Sequence, residues 1–375
     1  MPKSIISRKR AVKFINRDHN LFFSTVKKRV DEYFLNKKLS KLGDKKLFLK
    51  TIILLLFYFS PFVVMLIFSP GWIVSLLLWT LTGIAMAGLG MSVMHDANHG
   101  AYSSNPFVAW CMSHVLNLMG GSTVNWKLQH NILHHTYTNI TGMDDDIADK
   151  PALRLSPHSL RRPSHRYQWW HAFFLYGLTT IYWATAKDFL QWIRYRRNKV
   201  NAAPERSYRI LLLRLIIDKL FYFFIFLVVP TLFFDIPFIK VITGFLLMHF
   251  VAGVVLTVIF QLAHSLEGTS HPMPDKEGII ENDWAIHQMH TTMNFSPDNK
   301  WLSWYVGGLN FQVEHHLFPR ISHVHYPAIA PIVKATAKEF NIPYLQNHSF
   351  ISAFKAHVRF LKKLGRLPDI DEAIG

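Results

Sequence analysis

Cysteine is nearly absent from this sequence, since Cys111 is the only one among 375 residues. A single thiol can form neither an intramolecular disulfide nor a Cys-based zinc site, so nothing requires an oxidising compartment. Charged residues are also scarce at 17%, whereas hydrophobic residues reach 50%. This balance excludes an intrinsically disordered chain, and the composition is that of neither a fibrous repeat nor a nucleic-acid-binding tail.

The hydrophobic residues are concentrated in runs of about 20, the length that crosses a hydrocarbon core. These runs cover residues 51–69, 71–94, 210–234 and 236–262. A turn without Lys or Arg joins the first two runs, and the turn between the last two carries Asp235 as its only charge. The sequence therefore predicts an all-α integral membrane protein with four transmembrane helices in two hairpins. Shorter apolar stretches at residues 107–119 and 169–192 predict interfacial helices.

Acidic residues are few, with 24 Asp and Glu against 41 Lys and Arg, which gives a formal net charge of +17. The basic residues fill segments 1–50, 95–209 and 264–375. Because Lys and Arg favour the cytoplasmic side, both termini and the segments between the hairpins are expected there, as a helical cap. This distribution explains the charge without nucleic acid, and no recognition motif for nucleic acid is visible.

Three parts of the chain differ in their pattern. Residues 1–50 form a basic amphipathic cytoplasmic segment, in which Phe22, Val26 and Val30 recur at helical spacing, as in a helix on an anionic leaflet. Residues 51–345 form the membrane domain. Residues 346–375 form a C-terminal amphipathic cap helix and tail. Arg214, Asp218 and Lys219 open the third run and are expected at the cytoplasmic headgroups.

Histidine is unusually frequent, with 21 residues, and eight of them stand near the predicted cytoplasmic ends of the membrane runs. They are His95, His99, His130, His134, His135, His264, His315 and His316. Pairs four residues apart share one face of a helix, although one such pair alone is as compatible with ordinary packing. Imidazole suits iron, zinc or copper, and eight rings exceed the needs of one metal, so the set predicts two metals.

The neighbours of these histidines are candidates for supporting roles. Asp96, Asn310 and Glu314 could orient the rings from behind, and Gln312 could bind metal directly or act in the same supporting way. The run Asp144–Asp146 is either a solvated loop or a partner of the histidine cluster His130, His134 and His135. No Glu-x-x-His motif occurs, which argues against a carboxylate-bridged di-iron bundle.

At these residues the sequence resembles the membrane fatty-acid desaturases, whose hallmark is three histidine boxes around two irons. His95–His99 match the first box and His130–His135 the second. The segment Gly307–Pro319, with Gln312 and His315-His316, is similar to the third box of front-end acyl desaturases, in which Gln replaces the first His. The resemblance covers about residues 52–344. It implies an O2-dependent di-iron enzyme with four spans and a cytoplasmic catalytic cap, which introduces a cis double bond into an acyl chain. It also implies that His264 is a metal ligand.

The resemblance further implies a fatty acyl substrate, carried by CoA, a carrier protein or a lipid. The sequence contains no His-Pro-Gly-Gly haem motif of a fused cytochrome b5, so electrons are expected from a separate protein such as a ferredoxin or cytochrome b5. The basic C-terminal helix is a candidate docking surface for an acidic donor. Trp284, His287, Gln288 and Thr292 could line the substrate tunnel, and structural roles for them are equally open.

Two alternatives remain open at this point. Hydroxylases and acetylenases of the same superfamily share the histidine boxes and differ from desaturases in the outcome of the same oxygen chemistry. A His-rich membrane metal transporter would instead place its polar ligands near the middle of the spans, whereas these histidines lie at span ends and between spans.

Overall fold

The computed structural model describes residues 12–16, 20–148, 151–198 and 205–369, and most of them are helical. The α-helices are α1 Phe22–Lys37, α2 Lys45–Phe68, α3 Trp72–Leu89, α4 His95–Asn98, α5 Pro106–Ser113, α6 Thr123–Trp126, α7 His135–Tyr137, α8 Gln168–Gly177, α9 Thr179–Tyr182, α10 Asp188–Arg197, α11 Glu205–Phe223, α12 Val229–Phe233, α13 Phe238–His264, α14 Trp284–Thr291, α15 Lys300–Tyr305, α16 Gln312–Leu317, α17 Tyr326–Glu339 and α18 Phe350–Leu364.

Short segments of other geometry connect or interrupt these helices. The π-helical segments are Gly90–Met94, Lys127–His134, Trp183–Lys187 and Phe224–Val228, and the 3₁₀ segments are His114–Met119, Pro163–Tyr167 and His323–His325. The strands are β1 Lys13–Phe14, β2 Ile279–Ile280, β3 Asn294–Phe295 and β4 Gln346–Asn347. They form two small parallel pairs, β1 with β2 and β3 with β4. The two pairs tie distant parts of the chain together without forming an extended sheet.

Within the described residues, three helices are long and apolar enough to cross a membrane: Lys45–Phe68, Trp72–Asn98 and Phe238–His264. They match the first, second and fourth predicted runs. The second of them continues from α3 through a π-helical turn into α4. Asp44 begins α2 by accepting hydrogen bonds from the amides of Lys46 and Leu47, at 2.9 and 3.1 Å.

The third predicted run is helical as α11 and α12 but carries three charges, which set it apart from the other three runs. Lys219 pairs with Asp188 at 2.6 Å and donates to the carbonyl oxygens of Gly120 and Trp183, at 2.5 and 2.6 Å. Asp218 accepts from the side chain of Asn117 at 2.6 Å. These partners lie in the connecting segments 114–126 and 183–197, so Lys219 is paired with an opposite charge and Asp218 with a polar side chain.

Close crossing of α3 and α13 places the histidines at their ends near each other. Helix α3 packs against both α2 and α13. A Cβ on Gly83 would lie only 2.6 Å from the carbonyl oxygen of Met248, and a Cβ on Gly244 would clash with the ring of Trp79. Glycine at these two positions allows the backbones to approach, as in other tightly packed membrane helices.

Helix α1 packs on the rest of the protein through the apolar stripe that the sequence predicts. Phe22, Val26, Val30 and Phe34 are buried in one cluster with Ile329, Val333 and Ala337 of α17. Arg29 adds a two-pronged ion pair with Glu339, with both distances 2.8 Å. The expectation that this stripe faces an anionic leaflet is therefore wrong, because α17 offers a complementary apolar face that covers it.

Helix α18 covers the end of α13 and part of α8. His357 of α18 is fully buried and hydrogen-bonds both Tyr176, at 2.9 Å, and the carbonyl oxygen of Ser265, at 2.7 Å. Its exposed face carries Lys355 and Arg359, and Arg359 pairs with Glu267 at 2.8 Å. The predicted amphipathic character of residues 350–361 is thus present as a helix with one face on protein.

Candidate metal centre

Four helical segments bring the eight histidines together. His95 opens α4, and His99 follows its last turn. His130 and His134 belong to the second π-helical segment, and His135 begins α7. His264 ends α13, and His315 and His316 lie in α16. All eight are buried, and the most exposed, His99, has 8% exposure.

The ring nitrogens of these residues form two main groups that share no residue. In the first, one nitrogen each of His95, His99, His130 and His315 lie within 4.8 Å of one another. In the second, the same holds for His134, His264 and His316. His135 connects the groups, because it forms a further set of this kind with His315 and His316. The histidines thus form two adjacent clusters, each of which could hold a metal ion.

The π-helical backbone explains how three rings of one segment reach the same space. In a π-helix the hydrogen bond runs from residue i to i+5, so residues i+4 and i+5 lie on either side of residue i one turn away. The rings of His134 and His135 lie 5.2 and 4.8 Å from that of His130, centroid to centroid. An α-helix would direct His135 about 140° away from His130 (at 3.6 residues per turn).

The chemistry of the ring nitrogens fits a bound metal. The Nε2 atoms of His99, His134, His264, His315 and His316 are buried and have no hydrogen-bond partner among the described residues. Two further Nε2 atoms, of His95 and His130, face each other at 3.2 Å. Buried polar atoms without partners are costly, and so many in one place need a common partner. A cation that accepts their lone pairs supplies one.

Acceptors behind the rings determine which nitrogen is free. Nδ1 of His134 lies 3.1 Å from the Asp144 carboxylate, Nδ1 of His316 lies 2.8 Å from the Gln288 amide oxygen, and Nδ1 of His264 lies 3.3 Å from the Thr291 carbonyl. Because these oxygens only accept, Nδ1 carries the proton and the Nε2 lone pair points inward. Nδ1 of His315 lies 3.0 Å from the Tyr326 hydroxyl, which orients the ring but can either donate or accept.

Burial and charge set the protonation of the rings. Burial lowers the pKa of His130, His135, His315 and His316 well below the ordinary value, so these imidazoles are neutral. Burial acts in the same direction on His134, but Asp144 and Asp146 outweigh it and raise the pKa of His134. Neutral imidazole is the form that binds metal, and a carboxylate behind a ligand ring makes that ring a stronger base.

The predicted supporting residues lie close to the histidines but differ in what they contact. Asp96 accepts from the hydroxyl of Ser322 at 2.6 Å and from Nδ1 of His323 at 2.9 Å. It thereby joins the helix of the first box to the segment after the third box. His323 in turn contacts Lys50 at 3.1 Å.

The predicted residues around the third box are fully or almost fully buried. Glu314 accepts from Asn294 and Tyr344, both at 2.8 Å, and burial raises its pKa to about 7. Asn310 donates to the Ser303 hydroxyl at 2.9 Å. The Nε2 of Gln312 has no hydrogen-bond partner among the described residues. Of the three residues, only Gln312 has a side-chain nitrogen without a hydrogen-bond partner among the described residues.

The four predicted tunnel residues are placed around the second and third boxes. Gln288 accepts from His316 and from Thr138, at 2.8 and 2.9 Å, and so orients a histidine ring. Trp284 donates to the carbonyl oxygen of His135 at 3.1 Å. His287 contacts the carbonyl oxygen of Thr138 at 2.9 Å. The hydroxyl of Thr292 donates to the backbone carbonyl oxygen of Gln288 at 2.6 Å.

An apolar cavity of about 580 Å³ reaches the histidines from another side. It borders His130, His134 and His264, and its walls include Tyr182, Trp183, Leu256, Phe260 and Gln261. None of the four predicted tunnel residues lines it. The cavity lies between α13 and the aromatic segment around α9, which the sequence assigned only to the membrane interface.

Comparison with known proteins agrees with the geometry. Residues 70–348 match the family model for fatty acid desaturases. The chain belongs to the fatty acid desaturase family. It is therefore an oxidoreductase that acts on fatty acyl chains, and the alternative of a metal transporter is set aside.

Several similar proteins extend over nearly the whole desaturase. The sn-1 linoleoyl-lipid 6-desaturase of Synechocystis sp. is 36% identical over 346 residues, which cover 92% of this chain and 96% of that protein. The protein of the same description from Arthrospira platensis is 34% identical over 350 residues, or 93% and 94%. The acyl-lipid (8-3)-desaturase of Physcomitrium patens is 32% identical over 360 residues, or 96% and 74%.

Sequence reasoning did not find several residues that complete the site of this desaturase. Tyr326 begins α17, 11 residues after His315, and no spacing pattern links it to the histidines, although its hydroxyl contacts His315. The cavity wall residues carry no motif, because aromatic and aliphatic side chains in a membrane protein are common everywhere. For Asp144 the sequence left two roles open, part of a solvated loop or a partner of a histidine. Its contact with His134 favours the second role.

Proposed function

We propose that the desaturase is a front-end, O2-dependent di-iron enzyme that introduces a cis double bond into an acyl chain. The observation that carries the proposal is the group of buried Nε2 atoms without partners, whose Nδ1 sides are held by acceptors. The third box with Gln312, and relatives described as 6- and (8-3)-desaturases, support the front-end type.

The eight histidines would hold two iron ions, with Gln312 as a further candidate next to them. Iron is favoured over zinc because zinc has no redox chemistry, and the reaction removes electrons from carbon. When bound, the two irons would supply the activation of O2 that no acid–base side chain can provide for an alkyl C–H bond. Gln288, Tyr326 and Asp144 keep the histidine rings oriented. Burial favours the neutral form of His130, His135, His315 and His316, whereas His134 would release its proton when metal binds.

The electron balance of the reaction requires a donor. Removal of two hydrogens from adjacent methylene groups releases two electrons, whereas reduction of O2 to two waters consumes four. Two further electrons and two protons must therefore enter in each turnover. A separate carrier protein, such as a ferredoxin or cytochrome b5, would deliver them one at a time.

The cavity of about 580 Å³ is the proposed acyl site, because it is apolar and ends at His130, His134 and His264. Its walls would position the chain and exclude water from the reacting carbons. Relatives described as acting on linoleoyl-lipid or acyl-lipid favour a substrate esterified in a lipid. Tyr182 and Trp183 belong to the aromatic segment expected at the membrane interface, where a lipid-borne chain would enter.

The proposed topology has four spans in two hairpins, with α11 and α12 as the third span. Lys219 and Asp218 of that span contact the connecting segments 183–197 and 114–126, as expected for its cytoplasmic end. Both termini, the helical cap and the active site would then face the cytoplasm. Lys and Arg are absent from the turns 70–71 and 235, which the same topology places outside.

The function is tested by expressing the chain in a host that is poor in desaturases and analysing its fatty acids by gas chromatography and mass spectrometry. Saturated, monounsaturated and diunsaturated acids are supplied in separate cultures. A new unsaturated acid, absent with His315→Ala, is the expected result, and about two irons per chain should be found in the purified protein. A hydroxylated acid instead would favour the hydroxylase alternative, and an iron-free active protein would contradict the di-iron proposal.

A further inference from the structure

A second cleft, of about 630 Å³, reaches the histidines at a different place. It borders His99 and His135, and it shares no lining residue with the apolar cavity at His130, His134 and His264. Its walls include the amide side chains of Asn98 and Asn131. The metal-centre residues are thus accessible by one apolar and one polar route, and the polar route is not needed for an acyl chain.

The rim of this cleft is basic. Among the described residues that line it, Lys127 and Arg320 are the charged ones, and both are exposed. Helix α1 lies beside the cleft, because the ring of Phe23 packs edge-on against Trp284 with centroids 5.6 Å apart. Lys27 is exposed one helical turn after Phe23 and so extends the basic rim.

The acidic residues of α1 near this rim lie next to lysines. In α1, Asp31 pairs with Lys41 at 2.5 Å and Glu32 lies 3.9 Å from Lys28. Asp283, directly before Trp284, accepts from the backbone amide of Ala285 at 2.8 Å as the cap of α14. Because the described lining of the cleft carries Lys127 and Arg320 and no carboxylate, a partner that approaches it meets a positive rim.

Trp284 connects the cleft to the histidines. Its indole is half-buried in the cleft wall, and its Nε1 donates to the carbonyl oxygen of His135 at 3.1 Å. An aromatic ring that is in contact with the surface and hydrogen-bonded to the backbone of a metal-centre residue is a short route for an electron. The contact explains a tryptophan at this position better than substrate binding does, since Trp284 does not line the apolar cavity.

We propose that an acidic one-electron carrier protein docks on the basic rim formed by Lys27, Lys127 and Arg320 and passes its electrons through Trp284 and His135. The inference rests on the proposed di-iron function and adds where its donor binds. Two reduced carriers are each oxidised by one electron per turnover, and the electrons go to the reduction of O2 while no bond forms to the carrier. The positive rim would raise the association rate and orient the carrier.

The alternative docking surface predicted from the sequence, α18, is less suited to this role. Among the described residues, none from α18 lines either cavity, although His357 contacts Tyr176 and Ser265 of the apolar cavity wall. Arg359 is paired with Glu267, and Lys362 lies over the ring of Trp169 at 5.8 Å. The helix offers exposed charge but no contact with the metal-centre histidines.

Binding of a purified acidic [2Fe–2S] ferredoxin, and separately of soluble cytochrome b5, to the full chain in lipid nanodiscs tests the docking surface. One or both of these carriers should bind the wild-type protein. The double variant Lys127→Glu/Arg320→Glu should bind the same carrier with an affinity about tenfold or more lower at low salt. Lys355→Glu combined with Lys363→Glu makes the same charge change on α18 and should alter the affinity less than about twofold. Measurement by biolayer interferometry does not depend on turnover.

Loss of affinity in the α18 variant alone, in both variants equally, or in neither would overturn the docking proposal. Binding of neither carrier by a wild-type protein that makes product in cells would overturn it as well. Trp284→Phe should keep the affinity but slow oxidation of the bound, reduced carrier by about tenfold, and an unchanged rate would overturn the electron route. If the wild-type protein contained no iron and made no product, the proposed function itself would fail. Iron analysis and fatty acid analysis detect that failure separately from the binding measurement.

Discussion

At the scale of single residues, the candidate site depends on side chains that hold a histidine ring from behind. A buried imidazole can rotate and can carry its proton on either nitrogen, so a ring in the right place is not yet a ligand. The acceptors at Nδ1 of His134, His264 and His316 remove this freedom. Both the rings and these acceptors should therefore matter for metal binding.

Replacement of a single ring tests the first part of this argument. His134→Ala and His315→Ala should each abolish product formation and lower the iron content, while the protein still inserts in the membrane. His348→Ala is the matched control, because His348 is exposed. Fatty acid analysis and elemental analysis of membranes with equal protein levels measure the effect, and full turnover in either ring variant would remove that histidine from the site.

Replacement of an acceptor tests the second part. Asp144→Ala should weaken iron binding by about 10- to 100-fold, because the ring of His134 loses the carboxylate that orients it and makes it a stronger base. Asp145→Ala is the control from the same acidic run, since Asp145 contacts Arg194 and Tyr195 instead of a histidine. Iron retention during titration with a chelator measures the affinity. Equal retention by both variants would assign Asp144 a purely structural role.

At the scale of the helices, two features position the histidines: the π-helical segments and the close crossing of α3 and α13. Gly307 contributes to the same arrangement, because it has a φ of +63° and its Cα faces the carbonyl oxygen of Met91 in the first π-helical turn. A side chain at Gly307 would be strained and would collide with that turn. The third box thus packs directly on the backbone that carries the first.

The crossing of α3 and α13 can be tested through its glycine. Gly83→Ala would place a Cβ against the backbone oxygen of Met248 and should destabilise the protein by about 1–3 kcal/mol through overpacking. Gly71→Ala is the control, because nothing lies within 4 Å of a Cβ there. Thermal unfolding of both variants in nanodiscs gives the comparison. An unaltered midpoint for Gly83→Ala would show that the helices separate without cost.

The wall of the apolar cavity offers a test of the proposed acyl site. Thr179 lines the cavity, and Thr179→Phe should reduce desaturation of long chains more than that of shorter ones by taking up part of the space. Thr185→Phe is the control, because Thr185 is exposed and lies outside the cavity wall. Product analysis after feeding acids of graded length measures the shift. The same profile for both variants would place the acyl chain elsewhere.

At the scale of the whole molecule, orientation in the membrane decides whether all histidine clusters meet on the cytoplasmic side. The single cysteine makes this testable, because Cys111→Ser leaves a background free of thiols. In that background, Gly71→Cys and Phe234→Cys should react with an impermeant maleimide in intact spheroplasts, whereas Lys355→Cys should react only after lysis. Labelling of Lys355→Cys in intact cells would contradict the proposed topology.

The apolar runs and the basic segments could be predicted from the sequence, because each depends only on the composition of a short segment. Three of the four predicted runs are found as apolar helices long enough to span a membrane. The predicted family is confirmed by the match over residues 70–348. The stripe of α1 was recognised as apolar, but its partner was not, because α17 lies some 300 residues away and only folding brings the two together.

The sequence by itself determined which residues have the chemistry for a metal centre, since histidines at fixed spacing next to apolar runs are a local pattern. Only the tertiary structure decided how the histidines divide into two groups and which residue contacts Nδ1 of each oriented ring. Tyr326 and Gln288 contact the rings of His315 and His316 from other helices, and the cavity and the basic cleft are bordered by residues from separate helices. Spacing along a helix follows from its geometry, whereas contacts between helices depend on how their surfaces pack.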